Sequence, residues 1–286
     1  RVKQGNAPVV LIDSHVHIYG CYDLSALFDG AQENFCRQAN RLETRLFDSV
    51  LLLTESAGHN FFSSIRDKSE STRNEGLGHW QVFPTREACS VVLKNSSGDR
   101  IFLIAGRQIA TSERIEVSAI CTDHFFTEGR SLHETVSEVV ETGALAVLPW
   151  GVGKWLGRRG RILANLIKTH PKDVLLGDNG SRPVFWPWPR AFKLAERLGI
   201  TILAGSDPLP VPSDQKRIGS FGCVLLGVLD EDKPGADLRK KLIQLDSSPK
   251  RFGRLHSVNE FLKSRIELRR SVVSLPDKSP HSATLV

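Results

Sequence analysis

The sequence predicts an α/β protein whose strands and helices alternate in a (β/α) barrel of the TIM type. Short apolar runs of strand length recur along the 286 residues, and helical patterns lie between many of them. Several runs are apolar at both odd and even positions, as expected for strands that helices cover on both faces. About seven or eight strands in one domain-sized chain fit such a barrel, in a regular, distorted or seven-stranded form. A doubly wound open sheet is the alternative fold.

The strands are predicted at eight apolar runs. These runs cover residues 9–12, 50–53, 101–104, 117–121, 144–148, 174–176, 200–204 and 223–226. Between them, residues 24–39 keep the apolar spacing of a helix. Ser131 and Glu134 form a capping-box pattern before a second apolar helical face, which Gly143 ends. A further capping box opens at Ser257, so the last predicted helix begins there.

One part of the chain departs from this alternation. From about residue 79 to residue 123 the sequence predicts strands without a helix, and residues 95–99 have the composition of a hairpin turn. We therefore expect a single barrel domain over residues 1–270 with a β-rich insertion at about residues 79–123. Residues 271–286 contain Pro and Ser without periodicity, which predicts a C-terminal extension on the surface.

The composition limits the class of protein. Hydrophobic residues make up 40% of the chain and charged residues 24%, which excludes disorder, and no run reaches the roughly 18 apolar residues of a membrane helix. The N-terminal residues lack the apolar core of a signal peptide. Five cysteines without a C-x-x-C pair argue against a disulfide scaffold, so we expect a cytoplasmic protein. The net charge of +6 permits an anionic partner, but no basic surface with interleaved aromatics predicts nucleic-acid binding.

The strongest chemical signal is the motif Asp13-Ser14-His15-Val16-His17 at the end of the first predicted strand. Residues two apart in a strand point to the same side, so His15 and His17 can direct two imidazoles at one point, as a metal site requires. Asp13 has the same parity and could orient a ligand histidine. The alternative is that two unrelated histidines stand at the end of a strand.

Other predicted strands also end in polar groups that can bind a metal or take part in catalysis. These groups are Glu55, His124, Lys154, Asp178 and Asp207. In a parallel barrel the carboxyl ends of all strands open on one face. We therefore expect His15 and the carboxylates at residues 55, 178 and 207 on one face of one sheet. The alternative is that these polar residues only begin loops.

Asp13-Ser14-His15-Val16-His17, taken together with Ala204-Gly205-Ser206-Asp207-Pro208, resembles the amidohydrolase superfamily of metal-dependent TIM-barrel hydrolases. The first motif alone is also similar to the polymerase-and-histidinol-phosphatase (PHP) domains. The amidohydrolase resemblance implies that His15, His17 and Asp207 bind a divalent metal, with zinc as the first candidate. It also implies that Asp207 accepts a proton from the attacking water. That family commonly supplies further histidines from its fifth and sixth strands, whereas Asp178 stands at one of those ends here.

A second cluster is the glycine-rich basic segment 149–161. It carries four cations and no acid between Lys154 and Arg161, and it precedes a predicted helix. Glycines let a backbone approach a ligand closely, and N–H groups at a helix start favour anions. We expect Lys154 and Arg158, together with Arg182, to bind a carboxylate or phosphate of the substrate. The alternative is a solvated basic helix start.

These features predict a metal-dependent hydrolase of amidohydrolase type that acts on a small, anionic substrate through a metal-activated water. The candidate metal ligands are His15, His17, Glu55, His124, Asp178 and Asp207. Two alternatives stay open. One is a PHP-like phosphoesterase, which the basic segment favours. The other is a non-catalytic barrel with a lapsed metal site that serves as a binding protein.

Overall fold

The computed structural model describes residues 7–70 and 76–273 of the protein. The strands are β1 (Val9–Val16), β2 (Phe47–Leu53), β3 (Gln81–Pro84), β4 (Ser90–Lys94), β5 (Arg100–Ile104), β6 (Gly106–Ala110), β7 (Glu116–Ile120), β8 (Leu145–Pro149), β9 (Val174–Asn179), β10 (Ile202–Gly205), β11 (Gly222–Leu226) and β12 (Lys250–Phe252). The helices are α1 (Leu24–Arg41), α2 (Phe61–Arg66), α3 (Leu132–Glu141), α4 (Gly157–Thr169), α5 (Arg190–Arg197), α6 (Pro234–Ile243) and α7 (Val258–Val273). Short 3-10 helices lie at Asp67–Glu70 and Pro212–Arg217.

The strands form two mixed sheets instead of a closed barrel. One sheet has seven strands in the order β12-β11-β1-β2-β5-β4-β3, and the other has five in the order β10-β9-β8-β7-β6. The prediction of a (β/α) TIM-like barrel, in its regular, distorted and seven-stranded forms, is therefore wrong. β11 pairs antiparallel with β1 and so occupies the edge through which a parallel barrel would close. The expected placement of His15, Glu55, Asp178 and Asp207 on one sheet is wrong for the same reason.

The structure agrees with the local sequence patterns more closely than with the predicted pairing of the strands. The Ser131 side chain accepts a hydrogen bond from the Glu134 N–H, and the Glu134 side chain accepts one from the Ser131 N–H, so the capping box opens α3. The region predicted as a β-rich insertion contains β3 to β7 and no helix. Its strands are divided between the two sheets. Of the predicted C-terminal extension, residues 271–273 belong to α7 and residues 274–286 lie outside the described residues.

Three apolar cores hold the layers together. The first packs α1 on the seven-stranded sheet, with Leu27, Phe28 and Phe35 against β1 and β2. The second packs α3, α4 and α5 on the five-stranded sheet. The third contains Ile12 and Leu203 and lies between the sheets and α6. Among the described residues, no helix has the length and apolar character needed to cross a membrane.

The two sheets approach each other where β1 and β10 end. The Asp207 N–H donates to the His15 carbonyl at 2.9 Å, and the Ser206 N–H donates to Asp13 Oδ1 at 2.7 Å. Gly205 makes this approach possible, because a Cβ at that position would lie only 2.3 Å from the His15 backbone nitrogen. The contact brings the carboxyl ends of β1 and β10 side by side.

Gly205→Ala is expected to destabilise the protein by about 1–3 kcal/mol, since the added methyl group overlaps the backbone of β1 and the two sheets must move apart. Urea unfolding measures this change in the free energy of unfolding. Gly20→Ala is the matched control, because a Cβ at Gly20 meets nothing within 4 Å. Equal stability of the two variants would show that the β1–β10 contact is looser than the structure indicates.

Candidate metal centre

The structure brings together His15, His17 and Asp207. The two Nε2 atoms lie 3.1 Å apart, and Asp207 Oδ1 lies 3.6 Å from the Nε2 of His15 and 3.7 Å from that of His17. Among the described residues, this is the one group of three or more His, Cys, Asp or Glu side chains whose ligand atoms are close enough to share a metal ion. Both imidazoles are buried, and the Asp207 side chain is 20% exposed.

The spacing of these atoms suits a divalent ion. Two nitrogens that bind zinc at about 2.0–2.1 Å with a tetrahedral angle lie about 3.3 Å apart, close to the separation found here. Two imidazoles and one carboxylate leave coordination positions open, which is the arrangement of catalytic sites and not of closed structural ones. The donor set therefore fits a divalent cation with room for a substrate atom.

The imidazoles are in the protonation state that a metal needs. Burial lowers the pKa of His15 to about 3, and the positive charge of Lys154 acts in the same direction. Burial also lowers the pKa of His17 to about 3, against a smaller opposing effect of the Asp207 carboxylate. Both side chains are therefore neutral near pH 7, with ring nitrogens that can donate an electron pair.

An irregularity in β1 directs the two histidines. The pairing of β1 with β2 shifts register between Asp13 and Val16. Leu11 and Val16 belong to the same core although they are five residues apart, which simple alternation does not allow. Because of this bulge, Asp13 points to the opposite side of the strand from His15 and His17. Asp13 does not contact a histidine ring; its carboxylate accepts the N–H groups of Ser206 and Gly219, at 2.7 and 2.8 Å.

Asp207 is held by a turn and by two polar side chains. Its φ of 47° lies in the left-handed region, which Asp and Asn adopt more readily than most residues. Asp207 Oδ2 accepts a hydrogen bond from Asn179 Nδ2 at 2.7 Å and a longer one from Ser181 Oγ at 3.4 Å. Asn179 Nδ2 also donates to the Trp150 carbonyl at 2.7 Å. Oδ1 is thereby left facing the imidazoles.

Glu55, His124 and Asp178 were predicted as metal ligands, but they lie outside the cluster. Glu55 is buried, pairs with Arg107 at 3.1 Å and accepts the Phe62 N–H at the start of α2. His124 is exposed and packs edge-on against Phe126. Because β7 runs antiparallel to β8, the end of β7 that leads to His124 is not the end at which β8, β9 and β10 finish.

Asp178 faces away from the cluster and forms a buried ion pair. Arg182 donates to its two oxygens at 2.7 and 3.0 Å, and Arg251 donates to Oδ2 as well. Both guanidinium groups also stack on Trp188. Arg182 is therefore engaged by Asp178 and does not reach toward the candidate metal ligands. The neighbouring Asn179, on the opposite side of β9, is the residue that contacts Asp207. The alternation of side chains along β9 is the sequence signal that could have identified Asn179.

Lys154 lies beside the cluster, whereas Arg158 does not contribute to it. The Lys154 ammonium forms an ion pair with Glu116 and is close enough to lower the pKa of His15 and of His17. Arg158 is exposed in the first turn of α4. Glu116 was not predicted as a site residue, because it begins β7 and does not follow the end of a strand. The antiparallel direction of that strand places its first residue near the carboxyl end of β8.

The remaining walls of the site are aromatic and amide side chains. Tyr19 packs on the His17 ring, with centroids 5.8 Å apart, and His59 packs on Tyr19. Gln108 interacts with His15, and its buried Oε1 atom has no hydrogen-bond partner in the part of the chain that the structure describes. Gln108 also lines a cavity of about 140 Å³ together with Arg107, Phe125 and Phe126. None of His15, His17 and Asp207 lines this cavity, and Gln108 is the residue that links it to His15.

No protein-family model and no curated protein sequence matches the chain. Among solved structures, it is similar to PsfC from Pseudomonas syringae PB-5123, with a TM-score of 0.54 and 16% identity over 93% of this chain and 99% of PsfC. Another similar structure is a two-domain protein from Bacteroides vulgatus ATCC 8482 that contains a predicted PHP-like metal-dependent phosphoesterase. Its TM-score is 0.41, with 14% identity over 83% of this chain and 62% of that protein. The likeness to PsfC shows a shared fold, and none of these matches shows the amidohydrolase superfamily.

Proposed function

We propose that the protein is a metal-dependent phosphoesterase that binds a divalent cation, with zinc as the first candidate, through His15, His17 and Asp207. The observation that carries the proposal is the convergence of two buried, neutral imidazoles and one carboxylate oxygen within 3.7 Å of one another. Three protein ligands with further coordination positions open are typical of hydrolytic metal sites.

Each residue has a proposed part in the reaction. A divalent cation would polarise the phosphoryl group and make a water molecule more acidic. His15, His17 and Asp207 would hold the cation, and the Asp207 carboxylate would accept the proton that the attacking water loses. Asn179 fixes Oδ2 so that Oδ1 keeps this orientation. His17 is packed against Tyr19, which limits rotation of its ring.

A phosphoester is favoured over a neutral substrate by the charge next to the ligands. Lys154 is paired with Glu116, and its ammonium group can exchange that carboxylate for a substrate phosphate as its ion-pair partner. The same three metal ligands would serve an amidohydrolase-type reaction. The resemblance to that superfamily implies a TIM barrel, however, and the two-sheet architecture does not provide one. The phosphoesterase is therefore the better-supported proposal.

Hydrolysis of p-nitrophenyl phosphate tests the proposal, with p-nitrophenyl acetate as the comparison substrate. Protein treated with a chelator should be inactive, and activity should return when Zn²⁺, Mn²⁺ or Fe²⁺ is added. We expect release of p-nitrophenol from the phosphate ester to exceed that from the acetate. Metal binding without hydrolysis of any phosphoester would instead indicate a binding protein with a lapsed catalytic site.

Asn179→Ala is expected to weaken metal binding by about 10–100-fold, because residues that orient a ligand commonly have effects of that size. The variant removes the hydrogen bond that fixes Asp207 Oδ2, while His15, His17 and Asp207 stay in place. Competition with a metallochromic chelator measures the affinity. Asn165→Ala, at an exposed position of α4, is the control and should bind metal like the unmodified protein. An unchanged affinity for Asn179→Ala would remove Asn179 from the site.

A further inference from the structure

A second and larger cavity lies apart from the metal ligands. It is a groove of about 520 Å³ between α1, the 3-10 helix Pro212–Arg217, the segment after β12 and the first turns of α7. None of His15, His17 and Asp207 lines it. The groove adjoins the segment that follows β10, because Arg217 Nη2 donates to the Ser206 carbonyl at 3.2 Å.

The groove carries an excess of positive charge. Its cationic lining residues are Arg37, Arg41, Lys216, Arg217, Arg254 and Lys263. Its three acids are each paired with one of these cations: Asp214 with Arg217, Glu260 with Arg254 and Glu267 with Lys263. Within residues 7–70 and 76–273, Arg37, Arg41 and Lys216 have no carboxylate partner. Within that part of the chain, three cations therefore face the groove without a carboxylate to neutralise them.

The three cations have exposed side chains, and the backbone elements that carry them are held together. Arg37 and Arg41 lie one turn apart on α1, on the same face as Asn34. Asn34 is buried and donates its amide to the carbonyls of Lys216, at 3.0 Å, and Ile218, at 2.8 Å. These two hydrogen bonds hold α1 against the 3-10 helix, so the cations of both elements are presented to the same space before any ligand arrives.

A buried histidine supplies an independent sign of a ligand. His256 lines the groove at 5% exposure, and its Nδ1 atom has no hydrogen-bond partner among the described residues. Its backbone is fixed, since its N–H donates to the Gly180 carbonyl and its carbonyl accepts the Val184 N–H. Burial lowers the pKa of His256 to about 4, and Arg217 is the next cause, which shows that the ring lies in a positive field. In the tautomer that carries its proton on Nδ1, the neutral ring has an unused N–H donor for an anionic ligand.

We infer that this groove is a second binding site, distinct from the metal centre, for the phosphate group of a small phosphorylated molecule. Arg37, Arg41 and Lys216 supply the positive charge, and the Nδ1–H tautomer of His256 supplies a hydrogen-bond donor. Guanidinium groups match the geometry of phosphate oxygens, which favours phosphate over a single carboxylate. The volume lies within the range of about 300–1,000 Å³ that small-molecule sites occupy, so the groove has room for more than the phosphate alone.

Thermal unfolding of the full chain tests this inference, with inorganic phosphate and glycerol 3-phosphate as probes. Each is compared with sodium chloride at the same ionic strength, which removes general screening. We expect a higher melting temperature with either probe and no change with glycerol. Arg41→Ala combined with Lys216→Ala should abolish at least half of that shift. Arg45→Ala combined with Lys168→Ala removes two exposed cations outside the groove and should keep it.

His17→Ala separates this site from the metal centre, because it removes a metal ligand and leaves the groove unchanged. The phosphate-dependent shift should persist in that variant, whether or not the protein proves to be a phosphoesterase. No shift in the unmodified protein would overturn the inference. A shift that His17→Ala abolishes and the double groove variant retains would also overturn it, by assigning the anion to the metal centre. A shift with phosphate but none with glycerol 3-phosphate would exclude a phosphorylated molecule.

Discussion

Asp207→Asn is expected to leave the fold intact and to lower phosphoesterase turnover by about 10²–10⁴-fold, the range that general-base catalysis contributes. Asparagine tolerates the left-handed backbone at this position, so the turn after β10 should survive. Its carbonyl oxygen can accept the Asn179 hydrogen bond that Asp207 Oδ2 accepts now. The new amide NH₂ group then faces His15 and His17, where it cannot bind a cation. Metal affinity should fall together with turnover.

Metal content, turnover and melting temperature measured on the same preparation test this prediction. Asp246→Asn is the control, since Asp246 is exposed and distant in sequence from every proposed ligand. If Asp207 only caps the turn before Pro208, the variant would lose some stability and keep its metal. That pattern would contradict the assignment of Asp207 as a ligand.

Asp13→Ala is expected to destabilise the protein by about 2–6 kcal/mol, since it leaves two well-formed buried N–H donors without an acceptor and each costs about 1–3 kcal/mol. The donors are the N–H groups of Ser206 and Gly219, and Asp13 itself is completely buried. Because the Ser206 contact joins β1 to the segment that carries Asp207, the variant should also bind metal less tightly. Urea unfolding and metal titration measure the two effects.

Asp246→Ala is the control for this stability measurement and should cost little. Asp13→Asn is a second variant for the case in which the alanine variant does not fold. It keeps one acceptor oxygen and opposes one of the two N–H groups with an amide donor, so its loss of stability should be smaller and still measurable. A wild-type melting curve for Asp13→Asn would show that these hydrogen bonds do not hold the sheets together.

The three proposed metal ligands could be identified from the sequence because their signals are local. His15 and His17 stand two apart at a strand end, and Asp207 follows a clear apolar run. These residues can therefore be recognised as candidate ligands without knowledge of how the strands pair. The bulge in β1 keeps both histidines on one face, although it moves Asp13 off that face. The interpretation of Asp13 failed because a bulge adds a residue without any change in apolar pattern.

Whether the remaining candidates reach the cluster depends on the direction of each strand and on the side to which each side chain points. The sequence specifies neither. His124 follows β7, and it would have reached the cluster only if β7 ran parallel to β8. Asp178 and Asn179 are adjacent, so a single step of alternation decides which of them faces Asp207. The barrel failed for a related reason, since an apolar run buried on both faces has the same pattern whether its neighbour is parallel or antiparallel. The antiparallel partner of β1 is β11, which lies more than 200 residues further along the chain.

The metal content of protein purified without added metal tests the central claim most directly. Elemental analysis should find about one divalent ion for each chain, as expected for a site with three protein ligands. His17→Ala should remove this ion, while Asn165→Ala should retain it with an unchanged melting temperature. A protein that contains no divalent ion and takes up none from Zn²⁺, Mn²⁺ or Fe²⁺ would contradict the account, and so would a His17→Ala variant that binds as much metal as the unmodified chain.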